Sequence, residues 1–168
     1  MVVVVLIGAA WAARGEEPAA GPPGVPCSVV GTKLRLTPEQ AGHVETIAEV
    51  ARDRDLPERA VVIALATAQQ ESRLRNLTYG DRDSLGLFQQ RPSQGWGSPT
   101  QVRNPAYAAG EFYDRLVHVP RWKTRRLTEV AQAVQRSAFP ELYQQWEPMA
   151  RALTRALDDD GDLSLRCR

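Results

Sequence analysis

Glu71 is a carboxylate in a place that charged side chains avoid. It follows the run Ala60-Val61-Val62-Ile63-Ala64-Leu65-Ala66-Thr67-Ala68-Gln69-Gln70, apolar on every side of a helix until the two glutamines. Such a helix is expected to be buried. A carboxyl on its last turn is poorly solvated and lies where the helix carries partial negative charge. Both effects disfavour ionisation and raise the pKa. An acid that keeps its proton near neutral pH is what general-acid cleavage of a glycosidic bond requires. The competing reading is a helix end that surfaces, with Glu71 solvated or paired with Arg73 or Arg75, since ion pairs of that kind are common. Two further carboxylates follow in Tyr79-Gly80-Asp81-Arg82-Asp83. Asp81 and Asp83 are candidates to hold an attacking water, and equally candidates for turn residues, because Asp favours turns.

Other chemistries find less to work with. His43, His118, Cys27 and Cys167 show no metal-ligand spacing, and His43 has no partner four residues on, so no metal and no cofactor are expected. No nucleophile-elbow pattern serves a Ser/His/Asp hydrolase. With Asp160-Gly161 placed in calcium-loop register, the first ligand position falls on Ala156 and no Glu closes the loop. The segment Asp158-Asp159-Asp160-Gly161-Asp162 therefore reads as a solvated acidic tail. The net charge of +1, from 21 basic against 20 acidic side chains, gives no argument for nucleic acid.

The elements that must position Glu71 are mainly helices. Thr37-Pro38-Glu39-Gln40 supplies a capping Thr, a Pro at the first helical position and a Gln at the capping-box position. Ala41, Val44, Ile47, Ala48 and Ala51 then form one apolar stripe. Pro57 opens the buried central helix. Between Arg73 and Gly97 helical periodicity disappears, and loops with a small hairpin are expected. Asn104-Pro105 begins another helix running to about Val117, with Ala108, Phe112 and Leu116 on one face. A further helix is expected from Thr128 to Ser137, and a last from Pro140 to about Leu157, kinked or divided at Pro148.

At the N-terminus, residues 2–13 are an unbroken apolar run. As a helix it rises only about 18 Å, too short for a bilayer but suited to a signal peptide. Residues 1–13 therefore read as a signal peptide, or as a short anchor if uncleaved. Residues 14–36 read as a Gly/Pro-rich linker containing Cys27, residues 37–157 as the folded domain, and residues 158–168 as the acidic tail with Cys167. In an exported protein the two cysteines invite a disulfide joining the chain ends; the alternative is two free thiols on mobile tails.

Gln69-Gln70-Glu71-Ser72, followed fifteen residues after Glu71 by Gly86-Leu87-Phe88-Gln89, resembles the signature of lytic transglycosylases and goose-type lysozymes. That signature is a Glu-Ser closing a buried helix and a later Gly-Leu-Met-Gln. Asn104-Pro105-Ala106-Tyr107-Ala108-Ala109-Gly110 with Phe112-Tyr113 and Leu116 resembles the family's next element. The resemblance implies a mainly α, lysozyme-like (α+β) fold built around the buried helix. It implies cleavage of the β-1,4 bond between N-acetylmuramic acid and N-acetylglucosamine in peptidoglycan, with Glu71 as general acid and base. The transglycosylase version needs no second carboxylate and leaves a 1,6-anhydro end; the lysozyme version would use Asp81 or Asp83 to hold water.

The same resemblance implies Ser72, Phe88, Gln89, Gln90, Trp96 and Tyr107 as substrate-binding residues. Ser72 could equally be a helix-end residue, Gln90 a surface residue, and Trp96 either a sugar-stacking platform or packing. The chain departs from the family in two places. Asp83-Ser84-Leu85 stands where Gly-Ala-x is usual. The later Ala-Tyr-Asn-Ala-Gly, which supplies a tyrosine near the acid, has Ala133-Val134-Gln135-Arg136-Ser137-Ala138 as its best counterpart. Either Gln135 or a displaced Tyr143 takes the tyrosine's place, or the site is altered. If altered, the alternative is a non-catalytic wall-binding or partner-activating protein. The expected partner is the glycan strand, met outside the cell. Residues 73–126, expected to line the cleft, carry 10 basic and 4 acidic side chains, a balance suited to a polymer bearing carboxylates.

Overall fold

The computed structural model describes residues 26–137, 140–158 and 161–167. The expected leader, residues 1–13, and most of the linker lie outside the described residues. The described chain is mainly helical, with six α-helices and a small three-stranded antiparallel sheet. Helix α1 (Pro38–Arg52) starts where its capping signature predicts: Thr37 Oγ1 accepts from Gln40 N, and Gln40 Oε1 accepts from Thr37 N. Helix α2 (Glu58–Ser72) is the central one, buried continuously from Ala60 to Ala68. Around it pack α1, α4 (Pro105–Leu116), α5 (Leu127–Gln135) and α6 (Glu147–Ala156). Tyr113 Oη donates to Ile47 O at 3.0 Å, tying α4 to α1 through a wholly buried phenol.

A short helix, α3 (Pro99–Val102), was not among the expected elements. It carries the same signature as α1, Ser98-Pro99-Thr100-Gln101 with a reciprocal capping box, but only one turn follows it, too little for periodicity to register. The last expected helix is divided. Pro140–Trp146 is a 3-10 segment and α6 begins at Glu147, with Pro148 in its first turn, where a missing N–H costs nothing.

Two boundaries shift. The hairpin expected between Arg73 and Gly97 amounts to two isolated bridges, Leu77 with Gly86 and Leu85 with Gln90. The sheet lies instead where a linker and a tail were expected. Strands β1 (Cys27–Val29), β2 (Arg35–Leu36) and β3 (Leu165–Cys167) lie in the order β2-β1-β3, with Cys27 opposite Leu36 on one side and Cys167 on the other. Strands of two or three residues are too short to show alternation. Cys27 is disulfide-bonded, and Cys167 is the one other cysteine of the chain. Part of the acidic tail also packs down, for Leu163 N donates to Glu45 Oε1 of α1 at 3.0 Å. Among the described residues no helix is long and apolar enough to cross a membrane.

Candidate active site

Helix α2 ends abruptly after Ser72. Arg73 (φ 57°) and Leu74 (φ 58°) both turn left-handed, a conformation that costs non-glycine residues about 1–2 kcal/mol each. Side chains of α1 hold that exit. Gln40 Nε2 donates to Arg73 O at 2.9 Å, and buried His43 donates from Nδ1 to Leu74 O at 2.8 Å. Ser72 Oγ donates to Ala68 O and Leu87 O and accepts from Arg75 N. Ser72 is therefore the knot between the helix end and the 86–90 turn, not a sugar-binding group. In that turn Gly86 (φ 77°) approaches so closely that a Cβ would lie 2.2 Å from Val102 O. Only glycine fits there.

Glu71 faces a cleft of about 480 Å³. Its Oε1 accepts from the Tyr143 hydroxyl at 2.6 Å, and the Gln135 amide also donates to the carboxylate. Gln135 is held in turn by Phe88 O at 2.8 Å, and Ser137 hydrogen-bonds the Tyr143 phenol. Gln135 and Tyr143 thus both meet the Glu71 carboxyl, one from the C-terminal end of α5 and one from the 3-10 segment. Burial raises the Glu71 pKa above its usual 4.5, while Tyr143 and then Gln135 pull it down; the net direction is up. Burial and the nearby Glu71 also raise Tyr143, so the phenol keeps its proton.

Several expected binding residues are occupied elsewhere. Phe88 is wholly buried and stacks on Phe112 with ring centres 4.9 Å apart; it is core, not a pocket wall. Gln90 is buried with Nε2 on Ala108 O at 2.9 Å. Tyr107 packs its phenol on Gly97 and hydrogen-bonds Glu111, and it is not among the cleft residues. Trp96 lines the cleft, but only 5% of it is exposed, and the Arg115 guanidinium covers its ring at 3.3 Å. Its face is not free for a pyranose. Gln89 does line the cleft, its amide tethered to Gly86 O at 3.1 Å and Tyr79 O at 3.3 Å.

The two candidate second carboxylates part company. Asp81 is exposed and lines the same cleft as Glu71. Asp83 does not line it. It accepts from Ser93 N at 2.7 Å, Arg91 Nε at 2.8 Å and Ser93 Oγ at 3.0 Å, which hold its carboxyl well below the usual range. It is a turn organiser. Arg82, Arg91 and Arg136 also face the cleft, as do Ser84 and Ser137. None of these was singled out individually; the basic excess of residues 73–126 was the signal for the first two. Among the described residues no group of three or more His, Cys, Asp or Glu converges as a metal site. The chain finds no match among protein-family models and none among curated proteins.

Proposed function

We propose that the chain is a peptidoglycan glycosidase of lysozyme-like fold, cleaving the β-1,4 bond between N-acetylmuramic acid and N-acetylglucosamine, most simply by a lytic transglycosylase course. The observation that carries this is the Glu71 carboxyl: withdrawn from water at the end of a buried helix, held by two donors, and open to a cleft. Burial favours the protonated form before reaction, and the two donors stabilise the carboxylate afterwards. Glu71 gives its proton to the glycosidic oxygen as that oxygen's bond to the muramyl anomeric carbon breaks. The resulting carboxylate takes the proton of the same sugar's C6 hydroxyl, whose oxygen closes on the anomeric carbon. The product is a 1,6-anhydro end, no water is consumed, and Glu71 finishes protonated. Asp81 offers the hydrolytic variant, with water attacking and a reducing end formed. The Cys27 disulfide supports an exported protein.

Mass spectrometry of products released from purified walls tests the reading. Anhydro ends support the transglycosylase course and reducing ends the hydrolase. Glu71→Gln should reduce release to background, a loss of about 10²–10⁴-fold, while leaving wall binding. A wild-type chain that binds walls but releases nothing at any pH would overturn the enzyme reading and leave a non-catalytic wall-binding protein.

A further inference from the structure

The cleft does not end at Trp96. A second cavity of about 880 Å³ adjoins the first, the two sharing Gln94, Trp96, Gln135 and Arg136. Its character differs. Arg115 and Arg136 line it together; burial and then Arg136's like charge lower the Arg115 pKa, while Glu111 acts against both. Arg115 is fixed in place by stacking on Trp96 and by donating from Nη2 to Gly95 O at 2.8 Å. The nearby carboxylates balance part of this charge, Glu111 at Arg115 above all, and leave Arg136 as the guanidinium with no ion pair shown among the described residues. Asp114 lines the cavity and pairs with Arg54, Glu111 pairs with Arg115 at 3.9 Å, and Arg125 pairs with Glu129 at 3.0 Å. Two guanidiniums lining one cavity are a place where an anion lowers the energy. The rest of the lining is mixed, with Val119, Pro120 and Val134 beside the polar Gln94, His118 and Gln135. A short peptide suits such a mixed surface, offering a carboxylate to the guanidinium, amides to the polar side chains and aliphatic side chains to the valines and proline.

We propose that this wider cavity is a subsite for the peptide branch carried by the glycan strand, with Arg136 and Arg115 binding a branch carboxylate. It rests on the glycosidase reading for the identity of the strand, and it makes the branch a determinant of which stretches of strand bind. The test uses the full-length Glu71→Gln chain, so that strands bind without being cut. Soluble glycan strands are prepared with peptide branches, with branches removed by an amidase, and with phosphate polymer retained or stripped by acid. Calorimetry should give about tenfold tighter binding for branched strands, the worth of one charge-assisted hydrogen bond. Adding Arg136→Gln should bring that ratio to about one, and Arg136→Lys should restore part of it; matched thermal melts confirm that both variants fold. Equal affinity with and without branches overturns the proposal, as does a preference that follows the phosphate polymer instead. If wild type cuts nothing while the branch preference and its loss in Arg136→Gln persist, the glycosidase reading fails and the subsite stands. If wild type cuts branched and bare strands equally and neither preference appears, the subsite fails alone.

Discussion

Two opposing influences act on one proton at Glu71, and each can be removed. Tyr143→Phe keeps the ring but deletes the donor. Because that hydrogen bond lowers the Glu71 pKa, its loss should move the alkaline limb of the pH–rate profile to higher pH. It should also slow turnover about 10–100-fold, from a charge-assisted bond of roughly 1.5–3 kcal/mol. An unmoved limb with normal turnover would show that Tyr143 does not act on the acid. Stability supplies an independent reading of the same group. A raised folded-state pKa contributes stability that is complete below the ordinary 4.5 and is lost as pH rises through the raised value. Glu71→Gln has no proton to lose, so it should melt higher than wild type at neutral and alkaline pH, with the gap closing below 4.5. Glu71's withdrawal from water was legible because the helix before it is apolar. Its partner was not fixed, since Tyr143 is 72 residues away on a 3-10 segment. Phe88 and Gln90 point into the core because of the turn they belong to, which residue type does not reveal, and Ser72, at the end of α2, is used up in bonding to that turn.

Among the elements, the exit of α2 sets the acid's position, and it rests on unusual backbone. Arg73→Gly should relieve one left-handed residue and stabilise the chain by up to about 1 kcal/mol. His43→Ala should strand Leu74 O and cost about 1–3 kcal/mol in a denaturant titration. Gly86→Ala should be worse, at least about 3 kcal/mol, because a Cβ there meets backbone rather than a flexible side chain. A melting temperature unchanged in Gly86→Ala would show that the turn is not packed as described. The starts of α1 and α4 were legible from Thr37 and Asn104, each followed by Pro. The exit of α2 was not, since Arg73 and Leu74 are poor left-handed residues held by α1 from across the fold. No local signal encodes that hold.

For the whole molecule, the sheet pairs the first and last described strands behind one disulfide, closing a loop of about 140 residues. Reduction should lower the stability by roughly 4–5 kcal/mol in the chain-entropy account, measured as a shift in thermal midpoint with and without reductant. On the proposed glycosidase function, cleavage at low temperature should survive, because the cleft is lined by residues from 71 to 137 and not by the sheet. The same feature has a mechanical consequence. Since Cys27 and its partner sit opposite one another, a pull applied between the two ends is borne by a covalent bond, and the helices between them feel no load. Stretched in a single-molecule instrument by handles placed just outside the two cysteines, the oxidised protein should not lengthen. Reductant should then release roughly 450–500 Å of further extension in one cooperative step. A molecule built this way can be tugged from both ends without its cleft opening.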